Sequence, residues 1–190
     1  MFESILESIR QIGPFTESEL EQIQNRIGAF SLAEGISLLE KGEVCHCFYF
    51  IVYGSFRHFY TTDDLEEVNI NLAVPGDWLL DHQSFTSRKP SLNQIVATEE
   101  SLVNFITIDA LHQLIGASPI FFSLGRILEG VASNPYHQDI KATPEEKYRK
   151  LLKEKPVIIQ KFPLKQIASY LGMTPETLSR VRKRISQAGG

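Results

Sequence analysis

The sequence predicts an α+β chain: two short helices, a jelly-roll-like β-roll, and helices from there to the end. Three observations predict it. Apolar residues recur at helical spacing up to Ile27, the period shortens to that of strands between Ala29 and Ile108, and helical spacing then returns. At 190 residues, 43% hydrophobic and 22% charged, the chain can bury a core as one domain or as two small ones.

The opening stretch MFESILESIRQIG places Phe2, Ile5, Leu6 and Ile9 on one helical face, and Gly13-Pro14 stops it. In TESELEQIQNRI, Thr16 with Glu19 three residues on forms a capping box, and Leu20, Ile23 and Ile27 make the buried stripe. From Ala29 the chain is rich in Phe, Tyr, Val and Ile. It is cut by Gly35, Gly42, Gly54, the polar turn Thr61–Asp64 and Pro75-Gly76. The spacing predicts seven or eight antiparallel strands between 30 and 108, enough for a small roll with no long exposed edge.

After Ile108, Asp109 is the expected cap of a short helix, and Ser118-Pro119 opens a second. That second helix carries Phe121, Phe122, Leu124, Ile127, Leu128 and Val131, an apolar surface broader than one stripe. Either it covers its own sheet and also meets a second copy, or it makes one broad core contact in a monomer. Thr143, Pro144 and Glu146 supply a cap, a first-turn proline and a first-turn carboxylate for the next helix, through Leu151-Leu152. KPVIIQKF is too short for another and is expected to be a strand or an extended linker.

The net charge of −4 conceals a split. Residues 141–190 hold twelve Lys or Arg against four Glu, a balance of +8, and the rest of the chain balances to −12. This asymmetry fits a basic module that meets a polyanion, joined to an acidic one that does not. A solvated basic tail is the plainer alternative.

The terminal stretch LKQIASYLGMTPETLSRVRKRI decides between them. Leu164, Ile167, Ala168 and Leu171 share a helical face that ends at Gly172. Thr174 then caps a second helix with Pro175 in its first position, and Leu178, Val181 and Ile185 turn inward. This is the pattern of a helix-turn-helix, whose second helix enters the major groove of DNA. Thr174, Glu176, Thr177 and Arg180 are then within reach of bases and phosphates. Glu176 can accept from a cytosine amino group, and Arg180 can donate two bonds to guanine. Ser179, Arg182 and Lys183 are better placed for phosphates.

From about Phe30 to Ile185 the chain resembles the cyclic-AMP-receptor and fumarate-nitrate-regulator superfamily of bacterial transcription regulators, and more closely the divergent branch common in Bacteroidetes. The likeness lies in the roll glycines Gly35, Gly42 and Gly54, in VPGDWLLD and PSLNQIVATEES, and most specifically in ATPEEKYRKLLKEKPVIIQKFPLKQIASYLGMTPETLSRVRK. The resemblance implies a cyclic-nucleotide-binding-type β-roll over residues 1–117. A dimerisation helix and hinge would follow over 118–140, with Phe121, Leu124, Leu128 and Val131 at the dimer interface, and a winged helix-turn-helix over 141–190. It also implies a homodimer that reads an inverted-repeat operator in double-stranded DNA, in the cytoplasm.

Departures from that pattern bear on the effector. Nucleotide-binding members hold the ribose with a Gly-Glu pair and the cyclic phosphate with an Arg-Ser pair. Here the first reads Gly76-Asp77 and the second reads Pro90-Ser91-Leu92, so the arginine is missing. Neither Arg88 nor Lys89 replaces a fixed bidentate guanidinium. An effector, if the roll takes one, is expected to be a small molecule other than cyclic AMP, in a pocket that includes Phe50, Gly76, Asp77 and Ser91. At the second helix of the helix-turn-helix, Pro175 stands where a basic residue is usual.

Other readings are weaker. Cys45 and Cys47 face one side of a strand and His46 the other, which disfavours a three-ligand metal site, and ordinary packing is expected. The aromatic band Phe48, Tyr49, Phe50, Phe56, Phe59 and Tyr60 either lines a cavity or fills a core. Asp77, Asp81 and His82 suggest a hydrolytic cluster, but no accompanying motif supports catalysis. No cofactor, metal, enzymatic activity or membrane partner is expected. The rival reading is a non-DNA-binding module that holds an effector or a protein partner.

Overall fold

The computed structural model describes residues 2–131, 136, 139 and 141–188. The chain divides into two compact units, residues 1–58 with 73–132, and 59–72 with 133–190.

In the first unit α1 (Glu3–Ile12) buries Ile5 and Ile9, and α2 (Glu17–Gln24) starts on the predicted box. The Glu19 amide donates to Thr16 Oγ1 at 3.3 Å, and the Thr16 amide donates to Glu19 Oε2 at 2.7 Å. Eight strands follow along the chain: β1 (Gly28–Leu32), β2 (Ser37–Leu39), β3 (Cys47–Tyr53), β4 (Phe56–Thr61), β5 (Glu67–Ala73), β6 (Trp78–Leu79), β7 (Gln94–Ala97) and β8 (Ser101–Thr107), with most of β5 and the end of β4 belonging to the second unit. They form two four-stranded sheets, in the orders β1-β8-β3-β6 and β2-β7-β4-β5. The first is antiparallel throughout, in a register that sets Gly28 opposite Phe105 and Phe48 opposite Ile106.

The sheet connection at Gly54 admits only glycine. Its φ is +92°, and a Cβ there would stand 2.6 Å from the Ser101 Cα. The aromatic band resolves toward a filled core: Phe48, Phe50 and Phe56 are buried, and the Phe48 ring packs on Phe85 at 4.6 Å. Tyr49 is half-buried and Tyr60 is exposed.

Between β6 and β7 lies α3 (His82–Ser87), capped by Asp81. After β8, α4 (Ile108–Ala117) is capped by Thr107, whose hydroxyl accepts from the Ala110 amide at 3.1 Å. Asp109 therefore lies inside the first turn and is not the cap. Pro119–Gly125 is a 3₁₀ helix, continued by α5 (Arg126–Val131). Phe121 and Leu124 correct the expectation of a dimer interface. Both are fully buried in the chain's own core, Phe121 stacked on Phe15 at 6.0 Å, so neither offers surface to a second copy. Leu128 and Val131 are partly buried, and Phe122 is 66% exposed. Most of the expected helix beyond Val131 lies outside the described residues.

In the second unit, Tyr136 is buried, its ring edge-on to Tyr170 at 5.3 Å and its hydroxyl donating to Glu154 at 3.4 Å. The helices are α6 (Pro144–Glu154), α7 (Pro156–Lys161), α8 (Leu164–Tyr170) and α9 (Pro175–Ala188). Thr143 caps α6 as expected, and Glu146, expected only as a first-turn carboxylate, closes a capping box with it. PVIIQK is helical, a correction to the strand or linker expected: Pro156 fixes the first-turn φ, and burial of Ile158 outweighs the β-branched preference for a strand. The described residues from 141 to 188 form no strand, so the implied wing is not among them. Asn69, from the β5 stretch in this unit, donates its backbone amide to Ser169 Oγ at 2.9 Å.

Candidate nucleic-acid interface and effector pocket

Two short helices and the turn between them build the candidate interface. Ile167, Ala168 and Leu171 of the α8 face are buried. The turn is a Schellman motif: the Gly172 amide donates to the Ser169 carbonyl at 3.0 Å and the Met173 amide to the Ala168 carbonyl at 2.9 Å, with Gly172 at φ +69°. Thr174 then caps α9, its hydroxyl accepting from the Thr177 amide at 3.2 Å. Leu178 and Val181 are fully buried and Ile185 partly, which fixes the rotation of α9.

That rotation turns Glu176, Arg180, Lys183 and Gln187 outward in one line, spaced four, three and four residues apart and all exposed. The predicted residues Thr174, Ser179 and Arg182 are also exposed. Thr177 is half-buried, with its hydroxyl 3.1 Å from that of Thr174, so part of its bonding capacity serves the cap. Arg182 and Ser179 flank the outward line, on an open cleft shared with Lys183, Ser186, Tyr148 and Leu152. Among the described residues none forms an ion pair with Arg180, Arg182 or Lys183, whereas Arg184 approaches Glu145 at 3.9 Å. Gln187 completes the outward line; its i+4 spacing from Lys183 was the signal for it.

The four residues expected in the effector pocket do not come together as free binding groups. Phe50 is core, its ring 5.2 Å from Trp78. Gly76 and Asp77 make a turn. Gly76 has φ +90°, its amide donates to the Ile51 carbonyl at 2.9 Å, and Asp77 Oδ2 accepts from the Val74 amide at 3.1 Å. Ser91 is buried, and its hydroxyl donates to Asp81 Oδ2 at 2.7 Å.

Asp81 is the centre of this region. It is 2% exposed, caps α3 through the Ser84 amide at 2.9 Å, and accepts from Asn93 Nδ2 at 2.6 Å. His58, from β4, brings Nε2 to 3.6 Å, outside hydrogen-bond length and without another partner. Burial alone would raise the Asp81 carboxyl. His58 and the Ser84, Ser91 and Asn93 donors outweigh it and hold the group well below the usual carboxylate range. The sequence suggested grouping Asp81 with Asp77 and His82. The structure pairs it with His58, Ser91 and Asn93 instead, and the Asp81-x-x-Ser84 cap spacing was the one local sign of its role.

Arg88 does not substitute for the missing arginine. At φ +60° it ends α3, donating to the Cys45 carbonyl at 3.3 Å and meeting His46 Nδ1 at 2.6 Å. Cys45 and Cys47 are free. Burial pushes the Cys45 thiol up to about 11 and raises Cys47 as well, so both stay protonated near neutrality.

Residues 29–118 match the family described as the cyclic nucleotide-binding domain. The roll is of the cyclic nucleotide-binding type. Comparison with curated protein sequences gives no match. Among solved structures, FixK2 of Bradyrhizobium japonicum is similar at TM-score 0.71 and 19% identity, covering 86% of each chain. The catabolite activator protein of Thermus thermophilus is similar at TM-score 0.55 and 18% identity, over 92% of this chain and 85% of its own. The c-di-GMP responsive global regulator CLP of Xanthomonas campestris is similar at TM-score 0.63 and 14% identity, over 92% and 93%. At these identities the likeness is one of fold alone: a cyclic nucleotide-binding-type roll followed by C-terminal helices. No helix of the described residues is long and apolar enough to cross a membrane.

Proposed function

We propose that this chain is a homodimeric, sequence-specific DNA-binding transcription regulator of the cyclic-AMP-receptor and fumarate-nitrate-regulator superfamily, in the branch common in Bacteroidetes. The observation that carries it is α9. A capped helix, rotated by Leu178 and Val181, presents Glu176, Arg180 and Lys183 outward on a segment whose charge balance is +8. Glu176 and Arg180 read bases; Thr174, Thr177, Ser179, Arg182 and Lys183 hold phosphates. The working division is a roll over 1–117, a connector over 118–140 and a DNA-binding module over 141–190.

The dimer contact falls to Leu128 and Val131 with exposed Phe122, since Phe121 and Leu124 are core. Any effector is a small molecule other than cyclic AMP, and it acts only by favouring one spacing of the two α9 helices over another. Fluorescence anisotropy on a selected duplex tests the reading. Arg180→Ala weakens specific binding by about 1–3 kcal/mol with the dimer intact. Unchanged affinity favours a roll module that does not bind DNA.

A further inference from the structure

A cyclic nucleotide carries a phosphate anion, and a roll that takes one must aim donors at it. In this roll three donors already converge on one buried point: the Ser84 amide at 2.9 Å, Ser91 Oγ at 2.7 Å and Asn93 Nδ2 at 2.6 Å. His58 Nε2 stands at 3.6 Å with no other partner. The group they surround is the carboxylate of Asp81, and the point they surround has almost no contact with solvent.

The surrounding backbone is tied to the same centre. The Ser91 amide donates to the Glu43 carbonyl at 2.7 Å, the Gly42 amide to the Ser91 carbonyl at 2.8 Å, and Ser84 Oγ to the Lys89 carbonyl at 2.6 Å. The Asn93 amide donates to Ser91 Oγ at 2.9 Å. The segment from Lys89 to Asn93 is thus held closed with no second molecule. A phosphate brought to these donors would meet a carboxylate a few ångströms away in a low-dielectric interior, where like charges repel strongly. The Arg88 guanidinium is turned to Cys45 and His46.

We propose that Asp81 is the roll's own ligand: its carboxylate fills the anion position built by Ser84, Ser91, Asn93 and His58, so the roll closes without a nucleotide and admits no cyclic nucleotide monophosphate there. The inference concerns the roll alone and does not depend on DNA binding.

The test uses the full chain without DNA, by thermal unfolding and isothermal titration calorimetry. Cyclic AMP or cyclic GMP at about 1 mM is roughly 100 times a Kd on the order of 10 µM, and binding at that excess raises Tm by several degrees. The wild-type chain is predicted to show no shift and no heat with either. Asp81→Ala leaves the donors facing an empty, carboxylate-sized space. Its Tm is lowered, and formate restores part of the loss relative to an equal concentration of chloride; the wild type shows no difference between the two salts. Heat and a Tm rise with a cyclic nucleotide in the wild type overturn the proposal, as does a folded Asp81→Ala chain indifferent to formate. Should Asp81→Ala not fold, the wild-type titration still decides. Ser91→Ala, which keeps the carboxylate, is predicted to lose stability without recovery by formate.

Discussion

The Thr174 hydroxyl accepts the Thr177 backbone amide at 3.2 Å, and Leu178, one residue further, is fully buried. The first contact sets where α9 begins and the second sets which face it shows. Together they determine that Glu176, Arg180 and Lys183 point outward.

Thr174→Ala removes that cap. The change is expected to cost about 1 kcal/mol of stability and to weaken binding to a selected duplex, because the first turn of α9 frays where bases are to be read. Thermal unfolding and anisotropy on the same preparation check both effects. Full affinity with a frayed cap would separate recognition from the first turn.

Lys183→Gln tests the phosphate role. Binding is expected to weaken by a similar factor on selected and unrelated duplexes, and the slope of log affinity against log salt falls by about 1. A loss confined to the selected duplex would make Lys183 a base reader.

Asp81 gives the fold an acid sensitivity. Its carboxyl in the folded chain titrates below the unfolded value of about 4, so its stabilisation is complete above that value and is lost as pH falls below it. Tm is expected to drop between about pH 5 and pH 3 by more in the wild type than in Asp81→Asn, which has no charge to lose. Parallel curves for the two chains would show that Asp81 is not the group responsible.

The features legible in the sequence are those that local chemistry specifies. The Thr16 capping box, the Thr143 cap, the Gly172 turn and the Thr174 cap each need only residues within four positions, and all form as expected. The Asp81 centre was not legible, because its partners come from β4, α3 and the turn before β7 and meet only when the roll closes. His58, on β4, carries no local sign of its place there for the same reason. Phe121 and Leu124 misled because an apolar run gives no sign of which protein covers it. The six residues of α7 misled because Val157, Ile158 and Ile159 favour strands unless packing intervenes.

DNA recognition by α9 is tested by selecting random duplex DNA with the purified chain at two salt concentrations, read by sequencing, with no ligand added. An enriched inverted repeat is expected, its half-sites about 34 Å apart, one helical turn, because two α9 helices of a dimer enter successive major grooves. Affinity that prefers no sequence and collapses as salt rises would mean that the basic helix is only a charged surface, and would contradict recognition by α9.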